Sequence, residues 1–400
     1  MPGSYDVIVI GGGSTGCGVA RDLALRGASV ALLERNWIAS GTTGRMHRLL
    51  HSGARYAETD EMTARECIRE NKILQDIAAS CIRDTGGLFV QLTSDDPSYV
   101  DHKRSACQQC GIATERVSGA TAREREPSLS ALAEQALVVP DAVVDSIQLT
   151  VANAVDAAAH GARIELDATV TDLEISDDQV RGVHIIDSDG EESTLHARHV
   201  INASGVWAAE LANLADISLT LELSKGAMVV AEYPDITMVL NRCRPRGEGD
   251  IIVPYADTAI LGTTDVAVDG PEGYAKTDAE TAFLRQQLSE LVPAVEQAPI
   301  RDTFWGVRPL FTPVKATGSS TAVTRDHSLI DHGERDGIKG FTSIVGGKLT
   351  TYRSMAEDVA DHVCDHLGIQ KSCQTDSRAL PQVTDDQLTT YTGTADTSPG

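Results

Sequence analysis

Three glycines near the N-terminus have the spacing of a phosphate-binding turn. Gly11, Gly13 and Gly16 follow the apolar run 7–10 in the pattern G-x-G-x-x-G. Such glycines permit a tight turn, let a pyrophosphate approach the backbone, and let the next helix pack closely on the strand. Glu34 lies 18 residues after Gly16, near the spacing at which a carboxylate binds a ribose diol. The pattern predicts a dinucleotide-binding unit, and by itself it fits NAD and FAD equally.

A second glycine turn lies more than 300 residues further along the chain. Gly346 and Gly347 precede Lys348 and a helix-forming run, so backbone N–H groups at a helix N-terminus can face negative charge there. A reduced flavin carries negative charge near N1 and O2 and needs such donors. The alternative interpretation is a simple strand-to-helix turn. Together with the polar loop 40–47, which fits a wrap around a large polar cofactor, this turn favours FAD over NAD.

Four basic residues stand at strand ends or turns and not on amphipathic helix faces, where a charge would only be solvated. They are Arg55, Arg308, Arg325 and Lys348. Arginine forks bind phosphate or carboxylate in a bidentate manner, and lysine adds a point charge. Each one taken alone also fits a structural ion pair, and the spacing leaves their convergence open. As a set they predict an anionic substrate.

The chain of 400 residues has a net charge of −24, and only eight of its 34 basic residues are lysines. Such a chain repels nucleic acid and anionic membrane surfaces, so we expect no nucleic-acid partner. Acid excess with scarce lysine fits solubility in high salt, which predicts a halophilic cytoplasm, with an acidic mesophile as the alternative. We expect no membrane helix, because no run reaches ~18 to 20 apolar residues, and no signal peptide, because the first strand begins at once.

The eight cysteines are expected to be reduced thiols, as is usual in the cytosol. Cys107 and Cys110 have the spacing of a metal or redox pair, but no second Cys/His pair follows at the distance of a zinc site. We therefore expect no metal site.

The succession of elements predicts an α/β plus α+β fold, in which a Rossmann-like FAD-binding domain is interleaved with an antiparallel-sheet substrate domain. Strands and helices alternate in the first domain, whereas 220–269 reads as antiparallel strands with turns. The predicted domains are a discontinuous FAD-binding domain of 1–85, 141–219 and 320–365, a substrate or cap domain of 86–140 and 220–319, and a polar C-terminal tail of 366–400. The tail is expected to be disordered beyond Cys373.

Several motifs in the same order resemble the FAD-dependent glycerol-3-phosphate dehydrogenases, most closely the catalytic A subunit of the anaerobic, quinone-linked enzyme, within the D-amino-acid-oxidase-like flavoproteins. The resemblance covers about residues 5 to 380. It rests on the motifs at 11–16, 41–45, 47, 49–56, 225–226, 241–244, 261–264, 306–310, 331–337 and 346–353.

The resemblance implies a flavoprotein that oxidises sn-glycerol 3-phosphate to dihydroxyacetone phosphate. Its electrons would pass through partner subunits to a membrane quinone, with the protein in the cytoplasm at the inner face of the membrane. The corresponding subunits of related enzymes continue with a cysteine-bearing C-terminal region that the polar end of this chain does not match, which puts the electron relay in doubt. Two alternatives stay open: oxidation of a 2-hydroxy acid or amino acid, and a flavin-bearing electron-transfer subunit without a substrate of its own.

Matching positions give the expected site residues. The substrate would contact Arg55, Tyr56, Thr264, Arg308, Arg325 and Lys348. Hydride transfer requires a group that takes the hydroxyl proton, and a histidine suits that role by its ordinary pKa. We therefore expect His51 to be the base, with a structural histidine as the alternative, and Arg308 and Lys348 to polarise the forming alkoxide. FAD would contact Gly11, Gly13, Ser14, Thr15, Gly16, Glu34, Arg35, Thr42, Thr43, His47, Val170, Ala203, Gly205, Gly347, Lys348, Leu349 and Thr350.

Overall fold

The computed structural model describes residues 4–311, 327–394 and 396–397. Within these ranges the α-helices are α1 (Ser14–Arg26), α2 (Glu61–Ile77), α3 (Tyr99–Gln109), α4 (Gly119–Arg125), α5 (Ser146–Ala159), α6 (Ala208–Asn213), α7 (Asp278–Ser289), α8 (His332–Arg335), α9 (Tyr352–Leu367) and α10 (Asp385–Thr392). The strands are β1 (Ser4–Ile10), β2 (Val30–Leu33), β3 (Leu49–Leu50), β4 (Ile82–Arg83), β5 (Gly87–Leu92), β6 (Glu115–Ser118), β7 (Ala133–Val139), β8 (Ala142–Val144), β9 (Arg163–Glu165), β10 (Thr169–Ser176), β11 (Gln179–Ile186), β12 (Glu192–Asn202), β13 (Glu222–Ala231), β14 (Val239–Arg242), β15 (Ile251–Tyr255), β16 (Thr258–Gly262), β17 (Val266–Val268), β18 (Ile300–Leu310), β19 (His327–Asp331) and β20 (Phe341–Gly346).

The first sheet has a parallel centre in the order β9-β2-β1-β12-β20. Antiparallel β19 pairs with β20, and the β10–β11 hairpin pairs with the first half of β12. Val7 and Val9 of β1 point to the face covered by α1, α5 and α9, whereas Ile8 and Ile10 point to the opposite face. Both faces are buried, which explains why β1 is an uninterrupted apolar run.

The second sheet joins two separate chain segments. It runs β13-β16-β15-β14-β5-β7-β6. Strand β17 pairs with the first part of β13 on the same edge as β16, and β18 pairs along the other edge of β13. Parallel pairing of β5 with β14 connects the segment that holds β5 to β7 with the segment that holds β13 to β18. Helix α7 packs through Leu284 and Leu288 on one face of this sheet. Strands β3, β8 and β4 form a small third sheet. The predicted α/β plus α+β fold class is confirmed, while the exact domain boundaries stay a prediction.

The expected disorder beyond Cys373 is wrong. Helix α10 begins at a capping box in which Thr384 and Gln387 bond reciprocally, and it is followed by Gly393 in the left-handed region. Leu388 is 5% exposed and packs in the core of the first sheet. This stretch is polar on average, but its few apolar residues are spaced so that they bury one face of the helix. Average composition does not reveal such spacing.

Helix α2 ends at Ile77, and its N-cap is Asp60, whose side chain accepts a hydrogen bond from Thr63 N. All eight cysteines are free thiols. In the described part of the chain, no helix is both long and apolar enough to cross a membrane.

Candidate functional site

A cavity of about 490 Å³ opens where the carboxyl ends of β1, β2, β12 and β20 meet. In open α/β sheets, ligands bind in such a crevice. It is lined by sixteen of the seventeen residues expected to contact a cofactor, namely Gly11, Gly13, Ser14, Thr15, Glu34, Arg35, Thr42, Thr43, His47, Val170, Ala203, Gly205, Gly347, Lys348, Leu349 and Thr350. Residues separated by more than 300 positions therefore share one cavity.

Gly16 is the expected cofactor residue that does not line the cavity. A Cβ at Gly16 would collide with the carbonyl oxygen of Gly11, so Gly16 permits the close approach of α1 to the turn. Gly11 itself has φ +113°, a conformation that favours glycine. The N-cap residue Gly13 has no side chain with which to cap α1, and Thr43 Oγ1 accepts a hydrogen bond from Ser14 N at 3.1 Å. The N-terminus of α1 thus faces the cavity with its positive dipole end, as an anion site requires.

The carboxylate of Glu34 lines the same end of the cavity and is held by the backbone. Its two oxygens accept hydrogen bonds from Gly12 N at 2.6 Å and Asn36 N at 2.9 Å. Next to it, the guanidinium of Arg35 lies 4.2 Å from the ring centroid of Trp207. A fixed carboxylate, a helix N-terminus and a flat aromatic wall fit the adenosine and pyrophosphate of a dinucleotide.

The far end of the cavity is formed by the second glycine turn. Gly346 and Gly347 both have positive φ, +81° and +76°, and a Cβ at Gly347 would collide with the sulfur of Met355. The turn therefore needs glycine, and it brings Lys348 to the cavity, where its Nζ lies 4.8 Å from the ring centroid of Tyr56. Arg246 lies over the same ring at 5.3 Å. Two cations thus meet at one tyrosine.

His51 lies buried beside this cationic group. Its ring makes edge contacts with His47 and Tyr56, each at 5.5 Å between centroids, and its backbone N–H donates to Thr350 Oγ1 at 3.1 Å. Burial holds the pKa of His51 well below its ordinary value, and the neighbouring His47 and the positive charges of Arg55, Lys348 and Arg246 lower that pKa further. The imidazole is neutral at pH 7 and has a lone pair with which to accept a proton.

Arg308 reaches the cavity from the second sheet. In the β13–β18 pair, Gly226 lies opposite Gly306, and a Cβ at Gly226 would collide with the Arg308 guanidinium. The absent side chain leaves room for that guanidinium to lie across β13. It donates to Ser224 Oγ at 3.1 Å, to Thr263 Oγ1 at 2.7 Å and to the Thr264 carbonyl at 3.2 Å. These bonds fix its position at the cavity wall.

Two of the expected substrate residues that the structure describes are not in the wall. Arg55 lies behind it and donates to Asn241 Oδ1 at 3.2 Å. Thr264 is buried, and its Oγ1 accepts a hydrogen bond from Ala227 N and donates one to Glu280. Arg325 lies outside the described residues. Of the expected substrate set, Tyr56, Arg308 and Lys348 line the cavity.

Two residues near the cavity were missed by sequence reasoning. Trp207 lines the adenosine end, and Arg246 lies over Tyr56. The alternation of arginines at 242, 244 and 246 could have identified the second of these. In the structure, Arg242 and Arg244 form ion pairs with Asp95 and Asp250, so the three arginines have different roles that spacing does not separate.

The chain matches the model of the family described as FAD dependent oxidoreductase over residues 6–353. It is 46% identical over 392 residues to the A1 subunit of anaerobic glycerol-3-phosphate dehydrogenase from Haloferax volcanii, covering 95% of this chain and 67% of that protein. It is 43% identical over 381 residues to the A subunit of the Escherichia coli enzyme of the same name, covering 94% and 70%.

Among solved structures, the chain resembles glycerol-3-phosphate dehydrogenase from Bacillus halodurans complexed with FAD. The TM-score is 0.73 at 24% identity, over 95% of this chain and 68% of that one. L-α-glycerophosphate oxidase from Mycoplasma pneumoniae, with FAD bound, gives a TM-score of 0.75 at 18% identity, over 95% and 100%. At these identities the likeness establishes the fold.

Proposed function

Because the chain belongs to the family of FAD-dependent oxidoreductases, we propose that it oxidises sn-glycerol 3-phosphate to dihydroxyacetone phosphate. The observation that carries the proposal is that Arg308 and Lys348 line the same cavity as the residues that fit an adenine dinucleotide, with Arg246 and Lys348 both lying over Tyr56. The curated relatives with 46% and 43% identity bear the name of glycerol-3-phosphate dehydrogenase subunits.

The cavity residues fit FAD. Glu34 would hold the adenosine ribose, the N-terminal amides of α1 would hold the pyrophosphate, and the turn at Gly347 and Lys348 would face the flavin. At Gly13 a Cβ would meet nothing closer than Thr43 Oγ1 at 3.4 Å, and at Gly205 it would meet no atom within 4 Å. The bare backbone at these two cavity residues therefore leaves space for a ligand. When bound, FAD supplies the acceptor for the hydride that leaves C2 of the substrate.

The cations serve the phosphate and the forming oxygen. A phosphate dianion needs two or more cationic partners, and arginine provides a planar fork that matches its oxygens. Arg308, held by Ser224 and Thr263, is positioned before the substrate arrives, so little ordering entropy is lost on binding. Lys348, which also lines the cavity, would polarise the C2 oxygen as its proton departs.

His51 would take that proton. A general base must be unprotonated before it acts, and the lowered pKa of His51, caused first by burial, meets this requirement. The same burial excludes water, which would otherwise compete for the proton and screen the cations.

We also propose the wider assembly. The relatives are named as subunits of a larger enzyme, which supports partner subunits for this chain. Electrons would pass through these partners to a membrane quinone, and the protein would lie in the cytoplasm at the inner face of the membrane. Reconstitution with purified partner subunits and quinone-containing vesicles tests this: quinone reduction that depends on glycerol 3-phosphate and on the partners is expected, and reduction without them would contradict it.

The function is tested by mixing the FAD-loaded protein anaerobically with candidate substrates and following the flavin absorbance. Glycerol 3-phosphate is expected to bleach the flavin, whereas glycerol, lactate and glycine at the same concentration leave it oxidised. Dithionite serves as the control that the flavin is reducible. If lactate or glycine bleached the flavin and glycerol 3-phosphate did not, the substrate would be a 2-hydroxy acid or an amino acid. If none of them bleached it, the result would favour an electron-transfer subunit without a substrate of its own.

A further inference from the structure

Three potential metal ligands meet at the end of α9 that lies away from the cavity. Asp331 ends β19, and His362 and His366 lie one turn apart on α9. One ligand atom from each residue lies within 4.8 Å of the others. We propose that Asp331, His362 and His366 bind a divalent transition-metal ion such as Zn²⁺ or Co²⁺.

The distances fit a single ion. Asp331 Oδ2 lies 3.1 Å from His362 Nε2 and 3.8 Å from His366 Nε2. Two ligands of a tetrahedral ion with bonds of about 2.0–2.1 Å are roughly 3.3 Å apart. The observed separations bracket that value, so side-chain rotations within one rotamer well complete the geometry.

The two carboxylate oxygens of Asp331 make different contacts. Oδ1 caps α8, accepting from Gly333 N at 2.7 Å and Glu334 N at 3.3 Å. This cap fixes the carboxylate and turns Oδ2 toward the two imidazoles. Metal-binding side chains are commonly held by such outer contacts, which reduce the ordering that binding requires.

The surroundings of the two histidines fit metal binding. The Nε2 atom of His362 is sealed from solvent, and Asp331 Oδ2 lies 3.1 Å from it without forming a hydrogen bond of good geometry. A metal ion between the two atoms would engage both. The side chain of His366 is 49% exposed and provides an entry path from solvent.

A third histidine, His199, packs beside the cluster without joining it. Its ring stacks on His366 at 6.1 Å between centroids, and its Nε2 is hydrogen-bonded to Thr342 Oγ1 at 2.8 Å. The donor set is therefore two imidazole nitrogens and one carboxylate oxygen, with a position left for water. Such a set selects Zn²⁺, Co²⁺, Ni²⁺ or Cu²⁺ over Mg²⁺ and Ca²⁺, which require oxygen ligands.

The position indicates a stabilising role. Helix α9 starts next to the cavity at Tyr352, and His366 lies fourteen residues further on, which is about 21 Å along the helix axis. The ion would tie the far end of α9 to β19 and α8 without touching the substrate. Binding to the folded state alone raises stability by mass action.

The test uses the FAD-loaded protein, stripped of metal with a chelator and then titrated with Co²⁺ or Zn²⁺ at constant salt. Co²⁺ is expected to give visible d–d absorption of a tetrahedral nitrogen and oxygen site. Zn²⁺ at a hundredfold excess over its Kd is expected to raise the thermal midpoint by about 3 °C for a chain of this size, and Mg²⁺ is expected to have no effect. Steady-state turnover should not change.

Two variants and one control decide the assignment. His366→Gln and Asp331→Asn, the second of which keeps an oxygen for the α8 cap, should each weaken Co²⁺ binding at least about tenfold. His160→Gln is the matched control, because His160 also faces a carboxylate one turn away, at 3.3 Å from Asp156, but belongs to no three-ligand group in the described chain. Equal Co²⁺ binding by wild type and both variants, a thiolate charge-transfer band, or no binding by the wild type would overturn the proposal.

Discussion

Replacing Arg308 with alanine removes the best-positioned cation of the candidate substrate site. The guanidinium lies across Gly226, with hydrogen bonds to Ser224, Thr263 and the Thr264 carbonyl, and its side chain is 24% exposed. A charge-assisted hydrogen bond to an anion contributes about 1.5–3 kcal/mol. One or two such bonds, discounted for partial exposure, give about 2–4 kcal/mol, or a loss of roughly 30- to 1,000-fold in kcat/KM for glycerol 3-phosphate.

The assay is dye-linked turnover at fixed salt, together with the flavin content of each preparation. Arg308→Lys keeps the charge but loses the fork, so it should fall between wild type and Arg308→Ala. Arg301→Ala is the control on the same strand, because Arg301 is exposed and paired with Asp257, and its kcat/KM should equal that of wild type. Undiminished turnover by Arg308→Ala with normal flavin content would refute the substrate-site assignment.

Four further predictions follow from the same contacts. Gly226→Ala should lower kcat/KM while FAD stays bound, because the new methyl group displaces the Arg308 guanidinium; loss of flavin as well would indicate a broader distortion. Burial holds the pKa of His51 well below its ordinary value, so the unfolded state takes up this proton first as the pH falls below about 6.5. In urea unfolding, wild type should therefore lose more stability than His51→Gln between pH 6.5 and 5, and equal losses would contradict the lowered pKa. Leu388→Ala should lower the free energy of unfolding by about 2–3 kcal/mol, since Leu388 is 5% exposed in the core; no change would restore the picture of a disordered tail. Turnover should persist in molar salt because of the net charge of −24, and loss of activity there would remove the halophilic interpretation.

The nucleotide half of the site could be predicted from sequence because its physics is local. Gly11, Gly13 and Glu34 lie within one strand-turn-helix-strand unit, and the backbone geometry of that unit fixes their relative positions. The same holds for the turn at Gly347. In each case a short chain segment carries both the motif and the element that positions it.

Residues of the substrate half could be identified from the sequence, but their arrangement in space could not be predicted. Arg308 reaches the cavity because the register of β13 and β18 places Gly226 opposite Gly306. No local sequence pattern predicts that register. Arg246 and Arg242 look alike in sequence, yet only Arg246 lies over Tyr56, whereas Arg242 is paired with Asp95. Long-range pairing and the choice between equivalent charges depend on the packed fold.

The cations and the histidine of the cavity are electrostatically linked. Arg55, Arg246 and Lys348 lower the pKa of His51 in addition to the effect of its burial, so the group that attracts an anion also keeps the base free of protons. A phosphate dianion beside these cations offsets their charge, and the proton affinity of His51 rises because the field that lowered it is neutralised. The base therefore gains proton affinity when the substrate is present. It follows that Arg246→Gln should weaken phosphate binding and also raise the pKa of His51 in the substrate-free protein, which NMR titration of the histidine ring would measure; an unchanged pKa would show that the charge of Arg246 does not act on the base.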